Sequence, residues 1–255
     1  MANNNYHPEP YWSEVAKRID DRQDRNVIAG DDEPYYHYKR ARFLEMLSSV
    51  DFSNKNVMEL GSGPGGNLKE LCKTDAKSLT GVDISSDMIA LATKNLAGTR
   101  AKLVKTDGKT IPFDDKHFDL AITATVLQHN TDEAMLFNVI KEVCRVTKDK
   151  VVIFERIDDP IAGDELCLGR PVKYYEDIFA KHGFKLVETE FINIHVSWML
   201  SGAIRRGLNA KERQEGEKLT PFSLGLQKTL LPITKVFDKV IPAKRDLAKL
   251  AFERI

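Results

Sequence analysis

Glycines and two carboxylates lie close together in this chain, in an arrangement that can bind a nucleoside. Residues 57–67 read Val-Met-Glu-Leu-Gly-Ser-Gly-Pro-Gly-Gly-Asn, and Gly-Val-Asp-Ile-Ser follows at 81–85. The apolar run before Gly61 predicts a buried strand, after which the glycines allow a tight turn and the close approach of a ligand. Asp83 ends a second apolar run about twenty residues on, the separation at which a βαβ unit brings a carboxylate to a ribose.

The residue two positions before this turn separates two classes of cofactor. Dinucleotide-binding enzymes use Gly-x-Gly-x-x-Gly, whereas methyltransferases that use S-adenosylmethionine (SAM) have an acidic residue, one further residue and then Gly-x-Gly-x-Gly. Residues 59–65, Glu-Leu-Gly-Ser-Gly-Pro-Gly, match the second pattern. A pyrophosphate is an anion and needs no acid at the turn, but the ammonium and sulfonium groups of SAM favour a nearby carboxylate.

The segments that follow continue the same order. Lys-Thr-Asp-Gly at 105–108 follows a third predicted strand, and residues 111–122 lead into a fourth, which continues into Thr-Ala-Thr-Val-Leu-Gln-His at 123–129. This order resembles the class I (Rossmann-like) SAM-dependent methyltransferases, and among them the type 11 family, which acts mostly on small molecules. The resemblance covers residues 34–194. It implies the cofactor and the fold, and it leaves the acceptor and the methylated atom open.

The resemblance implies that the glycine turn binds the methionine end of SAM. Gly61, Ser62 and Gly63 would line this end, and Glu59 would hold the turn or contact the ammonium through water. Thr123, at the end of the predicted fourth strand, would lie near the sulfonium. The full set expected to bind SAM, or its product S-adenosylhomocysteine, is Tyr36, Arg40, Glu59, Gly61, Ser62, Gly63, Pro64, Gly65, Asp83, Ile84, Met88, Asp107, Gly108 and Thr123.

The resemblance also implies a place for the adenosine. Asp83 would accept hydrogen bonds from both ribose hydroxyls, and Ile84 and Met88 would lie on the two sides of the adenine ring. Asp107 would accept a hydrogen bond from the adenine amino group, with a backbone contact from Gly108. These residues follow the second and third predicted strands, so we expect them at one edge of the sheet.

The predicted elements alternate between strands and helices along the chain. Strands are expected near 56–60, 79–84, 101–106, 118–124 and 150–155, and helices near 65–73, 86–96, 132–146 and 172–182. The resemblance adds a sixth strand in 184–194 and an antiparallel seventh in 246–254. We therefore predict an α/β fold with a doubly wound, mostly parallel seven-stranded sheet, helices on both faces, and a ligand crevice at the carboxyl ends of the strands.

Four regions are expected: an N-terminal helical cap (1–50), the SAM-binding core (51–195), a helical insertion or lid (196–244), and the last core strand (245–255). In the cap, apolar residues recur at helical spacing in 10–25, and residues 29–34 form a loop that leads into a helix from Pro34 to about Ser49. On this helix Tyr36 or Arg40 would reach the SAM carboxylate or close the site; alternatively, the helix only covers the surface.

The insertion contains an apolar stripe at helical spacing. Its members are Phe222, Leu226, Leu230, Ile233, Phe237 and Val240. Lysines flank the stripe, and Pro232 should kink or split the helix. We expect the stripe to pack on the core as a substrate lid. Contact of 221–241 with a membrane surface, or with a second copy of the chain, remains an alternative, and so the state is a monomer or a homodimer.

Composition argues against several other classes of protein. The chain has a formal net charge of zero and is 42% hydrophobic and 30% charged, so a nucleic acid is not the expected partner. The charge is uneven, because residues 199–255 hold 12 basic and 6 acidic residues. The three cysteines and six histidines show no metal-ligand spacing, and no apolar run reaches the length of a membrane span. We therefore expect a cytoplasmic protein without a metal.

His129 is the candidate general base, because it follows the fourth predicted strand and an imidazole titrates near neutrality. The alternative is that it caps or fixes the loop before the next helix. Glu155, His195 and Trp198 are candidates for binding the acceptor, with ordinary packing as their alternative role. The expected reaction transfers a methyl group to oxygen or nitrogen of a small molecule, such as a sugar, a lipid-linked compound or a natural product.

Two other classes of function remain open. A protein that binds SAM without catalysing methyl transfer would use the same cofactor residues and would act as a scaffold through the insertion. An NAD-dependent oxidoreductase would also need a glycine turn and a ribose acid. Glu59 and the Thr-Asp-Gly segment at 106–108 both disfavour the oxidoreductase.

Overall fold

A seven-stranded sheet forms the centre of the protein. The structure is a computed structural model, and it describes residues 7–20, 32–213 and 217–255. The strands of the sheet are β1 (Asn56–Leu60), β2 (Ser78–Asp83), β3 (Lys102–Lys105), β4 (Phe118–Ala124), β5 (Thr147–Ile157), β8 (Phe184–Phe191) and β9 (Asp246–Arg254), and β6 (Ala162–Gly163) and β7 (Leu168–Gly169) form a separate short ladder. The order is β3-β2-β1-β4-β5-β9-β8. All neighbours from β3 to β5 are parallel, and β9 is antiparallel to both of its neighbours.

Eight helices in the described part of the chain complete the fold. They are α1 (Pro8–Asp20), α2 (Pro34–Ser48), α3 (Gly66–Leu71), α4 (Ser86–Asn95), α5 (Glu133–Val146), α6 (Val172–Lys181), α7 (His195–Leu208) and α8 (Pro221–Val240), and a 3-10 turn covers Leu127–His129. The predicted fold class is confirmed. Every core strand and helix expected from the sequence forms within a few residues of its expected bounds.

The central strands bury side chains on both faces of the sheet. Val57 packs into a cluster with residues of α2, α3 and α4, whereas the next residue, Met58, packs into a second cluster with residues of α5 and α6. Successive strand residues point to opposite faces, so an unbroken apolar run is what a sheet covered on both sides requires. Burying each such side chain stabilises the fold by about 1.5–3 kcal/mol.

The two N-terminal helices pack against different elements: α1 against α4, and α2 against α7 and α8. Val15 and Ile19 of α1 pack against Met88 of α4. The helix predicted to start at Pro34 does so, with Glu33 in extended conformation before it. The part of the amphipathic stretch at 21–25 and the loop at 29–31 lie outside the described residues.

The expected packing of the apolar stripe in α8 is wrong. The buried residues of α8 are Ser223, Gln227, Leu231, Thr234 and Asp238, four of which are polar. Of the predicted stripe, Phe222, Ile233, Phe237 and Val240 are exposed, and Leu226 and Leu230 are half-buried. The helix also continues through Pro232 without a break.

Hydrogen bonds to distant residues explain why the polar side of α8 faces inwards. The carboxylate of Asp238 accepts from the backbone N–H groups of Val196 and Ser197 at 2.8 and 3.2 Å and from the Ser197 hydroxyl at 2.5 Å. The amide of Gln227 donates to Glu33 at 2.5 Å, and Arg205 of α7 forms an ion pair with the same carboxylate at 2.7 Å. These bonds join α8 to α7 and α2. No described helix is long and apolar enough to span a membrane.

Candidate cofactor and acceptor site

Two adjoining cavities lie at the carboxyl ends of the parallel strands. The smaller has a volume of about 140 Å³ and the larger about 810 Å³. Residues that line both are Trp12, Gly61, Gly63, Ala124, Thr125 and His129. They come from α1 and from the segments after β1 and β4. Because β1 and β4 lie where the strand order reverses, the cavities occupy the position at which open α/β sheets bind ligands.

The turn after β1 brings bare backbone to the wall of both cavities. Gly61 and Gly63 have φ values of 70° and 50°, a region that favours glycine. A Cβ atom at Gly61 would lie 2.2 Å from Cγ2 of Val126, so any other residue would collide with the turn after β4. Ser62 and Pro64 line the larger cavity, whereas Gly65 precedes α3 and packs against Leu96.

Asp83 connects the glycine turn to α4. Its Oδ2 accepts from the N–H of Gly63 at 2.8 Å, and its Oδ1 accepts from the N–H of Ser85 at 2.9 Å. Burial raises the pKa of Asp83, although these N–H groups favour the charged form. The smaller cavity is lined by Asp83 together with Ile84 and Met88.

The segment after β3 contributes to the smaller cavity through Gly108 and not through Asp107. Gly108 lines this cavity, and a Cβ atom there would lie 2.6 Å from Cδ1 of Ile84. Asp107 is exposed and does not line either cavity. Its Oδ1 accepts from the N–H groups of Thr110 and Lys109 at 2.8 Å each, which lowers the pKa of Asp107. The carboxylate of Asp107 thus stabilises the loop after β3 by accepting hydrogen bonds from the backbone of that loop.

Glu59 acts on the larger cavity through a neighbour. It is buried near the end of β1, and its Oε1 accepts from the side-chain amide of Asn67 at 2.6 Å. The oxygen of the same amide accepts from the guanidinium of Arg40. Arg40, Asn67 and Tyr36 line the larger cavity, whereas Glu59 does not. Burial raises the pKa of Glu59 to about 8.

Thr123 and Glu155 lie beneath the cavities and not in them, contrary to the expected cofactor and acceptor roles. Glu155 is fully buried, and its Oε1 accepts from the Thr123 hydroxyl at 2.9 Å. The same oxygen accepts from the N–H groups of Val126 and Leu127 at 3.1 and 3.0 Å, and Oε2 accepts from that of Gln128 at 3.0 Å. The pair therefore supports the turn after β4. Ala124 and Thr125 form the cavity wall there.

His129 lies at the boundary between the two cavities in a defined tautomer. Its Nδ1 is 2.7 Å from the carbonyl oxygen of Leu166, which can only accept, so Nδ1 carries a proton. In the neutral ring Nε2 is then an acceptor, 3.3 Å from the amide nitrogen of Gln128. Trp12 packs edge-to-face on the imidazole with ring centres 5.0 Å apart. Burial lowers the pKa of His129, which keeps the ring neutral near pH 7.

His195 and Trp198 do not line either cavity. Their rings stack on each other at 5.6 Å at the start of α7, and Trp198 is 40% exposed. The end of α7 supplies the cavity wall instead, through Arg205, Arg206 and Asn209. The end of α7 that lines the cavity is thus the opposite one from His195 and Trp198, because the packing of α7 against α2 decides which end reaches the cavity.

The larger cavity is lined by cations and by no carboxylate among the described residues. The cations are Lys39, Arg40, Arg205, Arg206, Lys211 and Arg213. Lys39 forms an ion pair with Asp246 at 2.7 Å, and Arg205 forms one with Glu33. Arg206 and Lys211 line the cavity and form no ion pair with another residue in the part of the chain that the structure describes. No group of His, Cys, Asp and Glu in that part could hold a metal ion.

Comparison with known proteins supports the class that the sequence predicted. Residues 57–150 match the model of a family described as a methyltransferase domain. This match and the strand order given above are consistent with a class I, Rossmann-like methyltransferase domain, the class that uses SAM as methyl donor. No curated protein sequence matches the chain.

Solved structures with the same fold extend over nearly the whole chain. The cyclase SpnF is 15% identical, with a TM-score of 0.66, and the match covers 96% of this chain and 95% of SpnF. Magnesium protoporphyrin IX methyltransferase from Synechocystis, with bound S-adenosylhomocysteine, is 13% identical, with a TM-score of 0.60 and coverage of 97% and 98%. A SAM-dependent methyltransferase from Mesorhizobium loti is 15% identical, with a TM-score of 0.55 and coverage of 84% and 98%. Similarity at this level establishes the fold.

Titration of Glu59 yields a prediction about stability. Because its pKa is about 8 in the folded protein and near 4.5 when exposed, the unfolded chain releases this proton first. The contribution of Glu59 is therefore most favourable below about pH 4.5 and declines up to about pH 8, by at most about 1.4 kcal/mol per pH unit. Urea unfolding over this range should show the decline in the wild type, and Glu59→Gln should remove the part of it that Glu59 contributes.

Glu165→Gln is the matched control, because the side chain of Glu165 is exposed. It should retain the pH dependence of the wild type. A constant difference in the free energy of unfolding between the wild type and Glu59→Gln across this pH range would contradict the assignment.

Proposed function

We propose that the chain is a SAM-dependent methyltransferase that transfers a methyl group to an oxygen or nitrogen of a small, anionic acceptor. One observation carries the proposal: a cavity with a ribose-type carboxylate opens beside a larger cavity lined by cations, with His129 on their shared wall. The match of residues 57–150 to a methyltransferase domain supports the reaction class.

The smaller cavity suits the adenosine of SAM. Asp83 faces it with a carboxylate held in place by backbone donors, and each oxygen retains a lone pair for a ribose hydroxyl. Ile84 and Met88 offer apolar surface for the adenine ring, and Gly108 permits close approach of the backbone. Ser62, in the wall of the larger cavity, has a buried hydroxyl with no hydrogen-bond partner among the described residues, which favours a polar ligand group beside Gly61.

The methionine end would extend into the larger cavity. The guanidinium of Arg40, positioned by Asn67, is suited to the carboxylate of this end, and Tyr36 lies beside it. Glu59 would act through Asn67, because it holds the side-chain amide that in turn positions Arg40. This arrangement explains the acid before the glycine turn without requiring direct contact with the ligand.

SAM supplies an activated methyl group with a sulfonium as the leaving group. The residues of the chain would then align the acceptor with this methyl group and exclude water, the main contributions that such a displacement needs. An acceptor hydroxyl or ammonium must also lose a proton. Nε2 of His129 is suited to accept it in place of the hydrogen bond from the Gln128 amide, because Nδ1 is already bound to the Leu166 carbonyl and the neutral ring is favoured by burial.

The charges of the larger cavity favour an acceptor with a carboxylate or phosphate group. Arg206 and Lys211 would bind that group, since they have no ion-pair partner among the described residues. A guanidinium matches either anion with two hydrogen bonds. A neutral sugar would offer no anionic group to these cations. An acidic sugar, a phosphorylated lipid-linked compound or an acidic natural product therefore fits better.

The cofactor assignment is tested by calorimetric titration with SAM and S-adenosylhomocysteine. Asp83→Ala should weaken binding of both by roughly 1.5–3 kcal/mol, because hydrogen bonds to a charged group are lost. Asp87→Ala, an exposed carboxylate on the first turn of α4, is the matched control and should bind as the wild type does. If neither ligand binds folded wild-type protein, or if NAD alone binds, the proposed function is wrong.

The role of His129 is tested by its effect on turnover. His129→Ala should lower the rate of methyl transfer by about 10²–10⁴-fold with little change in SAM affinity, since a general base acts only on the chemical step. In the wild type, the rate should fall as the pH drops through the lowered pKa of His129. His182→Ala, at the end of α6, should be neutral. A purely structural role would lower the melting temperature and leave the pH profile unchanged.

The acceptor class is tested with labelled SAM and a metabolite extract separated by anion exchange. Labelled product should appear in the retained, anionic fractions, and Arg206→Gln should raise KM for that acceptor by about ten-fold. Lys185→Gln, an exposed cation on β8, is the control. Label found only in the neutral fractions would exclude an anionic acceptor. Tight SAM binding without turnover on any fraction would instead favour the non-catalytic alternative.

A further inference from the structure

The α7–α8 pair exposes an unusually large amount of apolar surface. Its members, which we call the outer face, are Trp198, Met199, Phe222, Ile233, Val236, Phe237, Val240 and Ile241, all of them 40–70% exposed. Trp198 and Met199 follow Ser197, whose hydroxyl contacts Asp238, so they lie beside the C-terminal half of α8. Grouped apolar side chains of this size mark an interaction site in a folded protein.

The outer face is not an unfinished part of the core. The opposite side of α8 is already bound to α7 and α2 through Asp238, Thr234 and Gln227. Turning the helix to bury its apolar side would break these bonds and leave a buried carboxylate, Glu33, without its amide partner. Burial of unpaired polar groups costs about 1–3 kcal/mol each, so the observed orientation is the stable one.

The exposed charges of α7 and α8 have one sign. Lys228, Lys235 and Lys239 recur at spacings of seven and four, which places them on one side of α8 next to the apolar face. The only carboxylate of α8 is Asp238, which is buried, and α7 contains none. Two neighbouring helices thus present exposed apolar side chains and cations without an exposed carboxylate.

We propose that the outer face binds the surface of a membrane that contains anionic lipid. Helices that lie in the membrane interface combine an apolar side with lysines at its border, and each lysine near an anionic surface strengthens binding by about five-fold. Aromatic side chains such as Trp198 and Phe237 are suited to this interface. A second copy of the chain would place like charges opposite each other, which disfavours a symmetric dimer through this face.

The end of α7 links the outer face to the larger cavity. Trp198 lies in the first turn of the helix, and Arg205 and Arg206 in its last turns line the cavity. Binding at the interface would therefore hold the cation-lined cavity near the lipid head groups, where an anionic, lipid-linked acceptor would be accessible. The membrane proposal uses no residue of the cofactor cavity, so it does not depend on the proposed methyl transfer.

The test is sedimentation of the full chain with vesicles of phosphatidylcholine alone or mixed with phosphatidylglycerol. The protein should sediment with the mixed vesicles and less with the neutral ones, and added salt should weaken binding. Val236→Glu combined with Val240→Glu should reduce binding by about ten-fold or more, because carboxylates replace apolar groups opposite an anionic surface. Val187→Glu, at an exposed position on β8, is the matched control and should bind as the wild type does.

Fluorescence provides a second readout on the same vesicles. The chain has two tryptophans, and emission should shift to shorter wavelength on binding in the wild type and in Trp12→Phe but not in Trp198→Phe. Circular dichroism should show that all variants are folded. No sedimentation with either vesicle would overturn the proposal. So would a concentration-dependent dimer, measured by light scattering, that Val236→Glu and Val240→Glu abolish. Neither result bears on SAM binding, which is measured separately.

Discussion

The candidate site depends on the hydrogen bonds that the buried carboxylate of Glu155 accepts. Its donors are the hydroxyl of Thr123 and three successive backbone N–H groups from the turn after β4. Leaving such donors unpaired in the interior would be costly, so the carboxylate and the turn stabilise each other. This turn places Val126 against Gly61 and carries His129 to the boundary of the two cavities. One buried carboxylate thus positions both the cavity wall at Val126 and the candidate base, His129.

Charge divides the site into two parts. The smaller cavity contains Asp83, whose carboxylate is held by backbone donors, and the larger is surrounded by cations from α2, α7 and the segment after α7. The two cavities therefore suit different ligand groups. The carboxylate in the smaller cavity can accept hydrogen bonds from hydroxyl groups, and the cations around the larger cavity can donate to an anionic group. Glu59 does not disturb the positive side, because it is buried beneath Asn67 and burial favours its neutral form.

The insertion illustrates how polar contacts can override a hydrophobic pattern. An apolar stripe in a surface helix normally faces the core, but in α8 the partners available on α7 and α2 are a helix start and a buried carboxylate. Those groups require polar neighbours, and Ser223, Gln227, Thr234 and Asp238 supply them. The apolar side of α8 is therefore left exposed, while the end of α7 lines the larger cavity.

The fold and the glycine turn were predictable from the amino-acid sequence. Strand and helix periodicities, the glycines at 61 and 63, and the spacing to Asp83 act through local backbone geometry, and each is readable within about thirty residues. The contact between Thr123 and Glu155, and the outward orientation of the apolar side of α8, were not predictable in this way. These outcomes depend on partners far apart in the chain, such as Asp238 with Ser197, and a local pattern carries no information about which distant donor a buried polar group will meet.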